Sequence, residues 1–225
     1  MTDTRHTHFQ HADGTPDTVL AYDVTGAPEL ITKASLGGGG GSGGGFGGVL
    51  LGSATVSNNT TVDFIDGVNG VVFDGTYSMY GIRIIDLVPV VDDVNLYFRT
   101  TSNGGVSWDS GGNNCTWEFT LRKLGDANGS KTGTNSFGLL ATNCGNLVDE
   151  SHNVYIRLYN VATGSAPLLD VHSIQTDNNP GTPEFGGWLF TGLTKRNAYA
   201  NINGIQFFMS SGNISTGLIE LYGIL

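Results

Sequence analysis

Basic residues are scarce: ten Lys and Arg stand against twenty Asp and Glu in 225 residues, for a net charge of −10. The densest basic clusters are only the pairs Arg122-Lys123 and Lys195-Arg196. Displacing counterions from phosphate takes clustered cations, so nucleic acid is not an expected partner. Long apolar runs are missing too. No stretch approaches the ~20 residues of a membrane-spanning helix, and the opening MTDTRHTHFQHADG is polar throughout. Neither membrane insertion nor a Sec-type leader is therefore expected. Cysteine occurs twice, as Cys115 and Cys144. A chain made in the cytosol keeps such thiols reduced, and Cys115 alternates with Trp117, Phe119 and Leu121, which predicts a buried free thiol on an apolar strand face. Charged residues make up only 13% against 39% hydrophobic, the reverse of a disordered composition. Helical periodicity of any useful length is absent as well.

What is abundant is glycine, 35 residues, about twice the usual ~7%. Ten of them fall in GGGGGSGGGFGG, residues 37–48. The rest punctuate the body in turns such as DG, SNGG, NNPGTP and SSGN, which separate segments of period-2 alternation. In VNLYFRT, Val94, Leu96 and Phe98 share one face and Asn95, Tyr97 and Arg99 the other. NVYIRLYN and TWEFTLRKL repeat the pattern, with Val154, Ile156 and Leu158, then Trp117, Phe119 and Leu121, on the apolar side. Further strands are expected at 49–56, 60–65, 79–88, 136–142, 168–175, 186–193, 199–209 and 217–224. The segment VNGVVFDGTYSMYG reads either as a short strand or as a loop over an edge. The chain is thus expected to be all-β: an antiparallel, jelly-roll-like β-sandwich of about ten strands over 49–225.

Residues 1–36 differ. They hold two short strand candidates, Val19 to Tyr22 and Glu29 to Thr32, and too few large apolar side chains to bury a core alone. They are expected to be an arm that leans on the body, on a copy of itself or on a partner. The run 37–48 then reads as a linker, averaging roughly 20 Å as a flexible coil, the alternative being an element packed at close range against neighbouring chains. Ordering it costs ~1–2 kcal/mol per residue.

The closing words IQFFMSSGNISTGLIELYGIL (205–225), with LLGSATVSNNTTVDFIDGV (50–68) and YGIRIIDLVPVVDDVNLYFRTTSNGGVSWDSG (80–111), resemble a family of small bacteriophage β-sandwich domains described as virion structural or tail-fibre-like proteins. DTVLAYDVTGAPEL (17–30) is similar to a short VLxYDxxxGxP element of phage fibre and appendage proteins. The resemblance implies a virion protein, made in the host bacterial cytoplasm and carried on the particle. Foremost is a tail-fibre or appendage subunit, a homotrimer that attaches to other virion proteins through 1–36 and exposes its sandwich for host-surface, including glycan, adhesion. The alternatives are a capsid decoration protein whose arm threads between capsid subunits, and a free carbohydrate-binding module.

Several side chains are candidates for sites. Tyr77, Tyr80, Tyr97, Trp108, Tyr155, Tyr159, Trp188 and Tyr199 fall on expected wet faces or loops, where aromatics serve subunit contact or stack on sugar rings. His6, His8 and His11 lie close together, and His6 and His8 point to one side of an extended chain. Three copies would gather six imidazoles, which suits octahedral transition-metal coordination, as in the His-x-His sites of phage fibres. The competing reading is a solvated leader, and no other cofactor is expected. Asp66, Asp92, Asp93 and Asp126 sit in turns whose chemistry explains them without calcium. DESH (149–152) reads as a strand entry, and no Gly-x-Ser-x-Gly elbow occurs. The chain is not expected to be an enzyme.

Overall fold

The structure, a computed structural model, describes residues 18–22, 28–32, 47–123, 128–147, 149–178 and 185–225. The chain divides into two units, Met1–Ser42 and Gly43–Leu225, with the division inside the glycine run. In the first, β1 (Thr18–Tyr22) and β2 (Pro28–Thr32) pair antiparallel, Leu20 opposite Leu30. The two short candidates of the arm are thus the strands of one hairpin. Residues 37–46, and most of the linker reading with them, lie outside the described residues.

The second unit holds β3 (Val49–Asn59), β4 (Val62–Ile65), β5 (Met79–Pro89), β6 (Val94–Thr101), β7 (Cys115–Lys123), β8 (Gly129–Asn135), β9 (Gly138–Cys144), β10 (His152–Tyr159), β11 (Leu168–Asn178), β12 (Phe185–Arg196), β13 (Gly204–Met209) and β14 (Ile214–Ile224). No helix occurs among the described residues. β3 pairs with β14, β4 with β13, β5 with β10 and β6 with β9, all antiparallel. These eight strands of the second unit are therefore one long hairpin whose two arms are rolled up together. Successive pairs alternate between sheets, giving β3-β14-β5-β10 in one and β4-β13-β6-β9 in the other, which is the jelly roll. The remaining four strands extend the first sheet to β3-β14-β5-β10-β11-β12-β7-β8.

Alternation decides which side chains enter the core. Val154, Ile156 and Leu158 of β10 are fully buried while Tyr155 and Arg157 are exposed, and Leu96 and Phe98 of β6 meet Phe207 of β13 inside. β9 packs across β10, β11, β12 and β7, and β4 lies against β3, so the small sheet closes the inner face of the large one. Cys115 and Cys144 are both buried free thiols. Burial pushes each up to about 12.

Two segments depart from the alternation reading, and a third resolves an alternative it left open. β8, GSKTGTN, was not expected, because it has no apolar period and almost every residue is exposed. It forms because β7 offers it an open edge, and Trp117 lies on Gly133, where an added Cβ would come 2.6 Å from the indole. Of the two readings left open for VNGVVFDGTYSMYG, the loop is the one found, over residues 66–78. It folds Val71 and Phe73, each 3% exposed, onto the core and is held by Asp66 Oδ1, which accepts the Phe73 N–H at 2.8 Å. The strand expected from 199 begins only at Gly204. Residues 197–203 instead tie the neighbouring loops together: the Asn203 N–H donates to Thr101 O at 2.9 Å and the Ile202 N–H to Val161 O at 3.0 Å. Asn203 Oδ1 and Asn201 Oδ1 accept the N–H groups of Gly104 and Gly164, each at 2.8 Å.

The registers place these longer connections at one end of the sandwich. Val49 opposes Gly223, Met79 opposes Ile224, Leu168 opposes Lys195 and Cys115 opposes Arg196. Loops 66–78, 102–114, 160–167 and 197–203 consequently form a crown at the end where β3 starts. Short turns, such as 60–61, 90–93 and 210–213, close the opposite end.

Candidate functional site

The eight aromatic candidates do not converge on one site. Tyr80 is a correction: it is 1% exposed, because it shares the phase of Ile82 and Ile84 in β5. Its ring packs 5.0 Å from Phe73 and 5.8 Å from Tyr77, and burial raises its hydroxyl to about 12. Tyr77 is half-buried and lies over Gly223, and Trp108 is half-buried in the crown beside Gly105 and Gly204. Both fill space between backbone segments. Tyr155 and Tyr159 lie on the outer face of β10, Tyr155 41% exposed, and Tyr199 in the crown is 74% exposed. Trp188 stands in β12 opposite Gln175 and Lys123.

Tyr97 belongs to an aromatic cluster on the outer face of the small sheet. Its ring lies 5.9 Å from both Phe137 and Phe208, which are themselves 5.0 Å apart at 88°. The Arg99 guanidinium sits 5.1 Å above Phe208, and Arg99 Nε donates to Gln206 Oε1. Gln206 Nε2 in turn donates to Asp63 at 2.8 Å. Three rings on an outward face, rimmed by a charged network, match the composition of interface cores.

The polar candidates resolve into structural roles. His152 is fully buried, at the start of β10. Its ring nitrogens lie 3.3 Å from Gln175 Oε1 and from Gly145 O, and the Gln175 amide donates to Thr142 O at 2.9 Å. Glu150 is buried as well and accepts the Leu147 N–H at 2.8 Å. DESH thus anchors the β9–β10 connection. Arg196, 4% exposed, holds Asp109 through Nε at 2.8 Å and Nη2 at 3.1 Å, fastening loop 102–114 to the end of β12. Asp66 works in its turn as above, and Asp93 takes a left-handed conformation, φ 54°. His6, His8, His11 and Asp126 lie outside the described residues. Among the described residues no three His, Cys, Asp or Glu side chains are grouped as a metal site would need.

A concavity that the sequence reading missed lies on the outer face of the large sheet. It has a volume of about 560 Å³, within the ~300–1,000 Å³ of ordinary ligand sites. The pairing of β8, β7, β12 and β11 assembles it in two rows: Thr134, Thr116, Lys195 and Leu168, then Thr132, Glu118 and Leu193. At the crown end, Asn197 Nδ2 donates to Thr116 Oγ1 at 3.0 Å and to Asn113 O at 2.6 Å. The Lys195 ammonium lies 5.6 Å from the centre of the Tyr199 ring, within cation–π range. No sequence signal marks this site, since outward polar residues on a strand ordinarily do no more than face water, and β8 was itself unforeseen.

Comparison with family models, with curated proteins and with solved structures finds no match to this chain.

Proposed function

We propose that the protein is a structural and adhesive component of a bacteriophage particle, a tail-fibre or appendage subunit. Residues 1–36 attach it to other virion proteins and the jelly roll is its exposed head. One observation carries the reading. The sequence words that resemble phage virion domains, 50–68, 80–111 and 205–225, coincide with β3 to β6, β13 and β14, six of the eight strands of the rolled hairpin. The jelly roll is an architecture on which viral coat proteins and lectins are repeatedly built, and this support is analogy of fold, since function resides in sites. The head assembles as a homotrimer through the Tyr97, Phe137 and Phe208 face, where large rings gain most from being covered.

Antibody raised against the recombinant chain and applied to particles of the encoding phage tests the reading. Label along the tail or its appendages is expected. Label over the capsid shell would move the protein to a decoration role, and purified particles without the chain would end the virion assignment.

A further inference from the structure

We infer that the groove formed by β7, β8, β11 and β12 is a carbohydrate-binding site that takes a neutral saccharide. In the proposed function it is the head's adhesive site, so its biological setting rests on that reading; its chemistry does not.

The floor offers side chains only. β7 is hydrogen-bonded to both β8 and β12, and β12 to both β7 and β11, so within the floor a peptide finds no open edge to extend as a strand; the sheet's free edge on this side is the outer side of β8, at the rim of the groove. The side chains are those that recognise hydroxyl groups. Thr116, Thr132 and Thr134 each both donate and accept, Asn197 contributes an amide, Glu118 a carboxylate acceptor and Lys195 an ammonium donor. Glu118 and Thr132 are exposed and paired across the sheet. Leu168 and Leu193 lie among these groups, Leu193 50% exposed. A surface that alternates hydroxyl-matching groups with an aliphatic patch complements a sugar ring, which has polar edges and C–H faces.

The charges narrow the class further. One ammonium beside one carboxylate, on a chain of net charge −10, disfavours phosphate, acidic sugars and nucleic acid. Strand spacing of ~4.8 Å makes the four-strand floor about 14 Å across, room for two to three sugar rings. The crown end is already held in place by the Asn197 bonds to Thr116 and Asn113, which lowers the ordering cost of binding. Beyond Lys195, Tyr199 presents an exposed ring on which a further sugar can stack.

The test uses the purified full chain, titrated with lactose, maltotriose, cellotriose and chitotriose at millimolar concentration and followed by amide chemical-shift perturbation. At least one saccharide is expected to shift Thr116, Glu118, Leu193 and Lys195. Glu118→Gln and Thr132→Val should each weaken that binding about three- to tenfold, the worth of one hydrogen bond. Val90→Ser, in a turn at the opposite end, should leave it unchanged, and matching thermal midpoints establish that all variants are folded. No shift with any of the four saccharides, shifts centred elsewhere, or full affinity in both groove variants would overturn the inference. Binding without label on particles would leave the groove standing and remove the virion role; labelled particles without binding would do the reverse.

Discussion

Gly138 faces Phe98 across β9 and β6, and an added Cβ there would collide with the phenyl ring, which is fully buried. Gly138→Ala must therefore displace a core ring and should cost about 1–3 kcal/mol, as overpacking does. Urea denaturation measures it, and an unchanged midpoint would show that β9 yields easily. Arg196 is the counterpart in polar chemistry. Arg196→Met leaves the Asp109 carboxylate without its cationic partner, only the Thr100 hydroxyl still donating to it, and should cost about 3 kcal/mol, the low end for breaking a buried pair because Asp109 retains 22% exposure. Adding Asp109→Leu should recover part of that loss, since removing both charges removes the stranded one; no recovery would mean that Arg196 acts through packing alone. The buried thiols and Tyr80 set the alkaline limit. Burial raises Cys115 and Cys144 from 9.0 to about 12 and Tyr80 from 10.0 to about 12. Above pH 9 the unfolded chain releases protons that the folded chain keeps, so stability is fully present below that pH and is lost as pH rises toward 12. A denaturation midpoint that stays flat across this window would contradict the burial of all three groups.

At the scale of elements, the difference between β8 and β10 explains what was legible. β10 alternates large apolar residues with polar ones, and its inward face could be read from Val154, Ile156 and Leu158 alone. β8 has the composition of a turn. Its strand state comes from the open edge of β7 and the indole of Trp117 above Gly133, neither of which is local to it. A short polar edge carrying Lys131 also closes the sheet without inviting another strand. The aromatic face of the small sheet shows the same division. Tyr97 was recognisable as outward from its phase, but Phe137 and Phe208 join it only because β13 and the β8–β9 connection converge there. In the proposed trimer this face is the subunit contact, so Phe208→Asp should give monomers by light scattering on a sizing column where the parent chain is trimeric, with the far-ultraviolet circular dichroism unchanged. A variant that stays assembled would remove this face from subunit contact.

For the whole molecule, the described core runs from Leu51 to Leu221 and lies entirely within Gly43–Leu225. A chain beginning at Gly43 should therefore unfold in a single cooperative transition at the midpoint of the full-length protein. A broad or lowered transition would mean that the first 42 residues contribute to that core. Composition and alternation determined by themselves that the chain is all-β, where most strands lie and which faces are apolar, because a period of two is a property of each strand alone. Only the tertiary structure decided that β3 pairs with β14, that Asn197, Asn201 and Asn203 tie a crown of loops, and that Thr116, Glu118, Thr132 and Lys195 line one groove. Those groups come from strands far apart in sequence, and their proximity is created by hydrogen-bonded pairing, which period-2 patterning leaves undetermined.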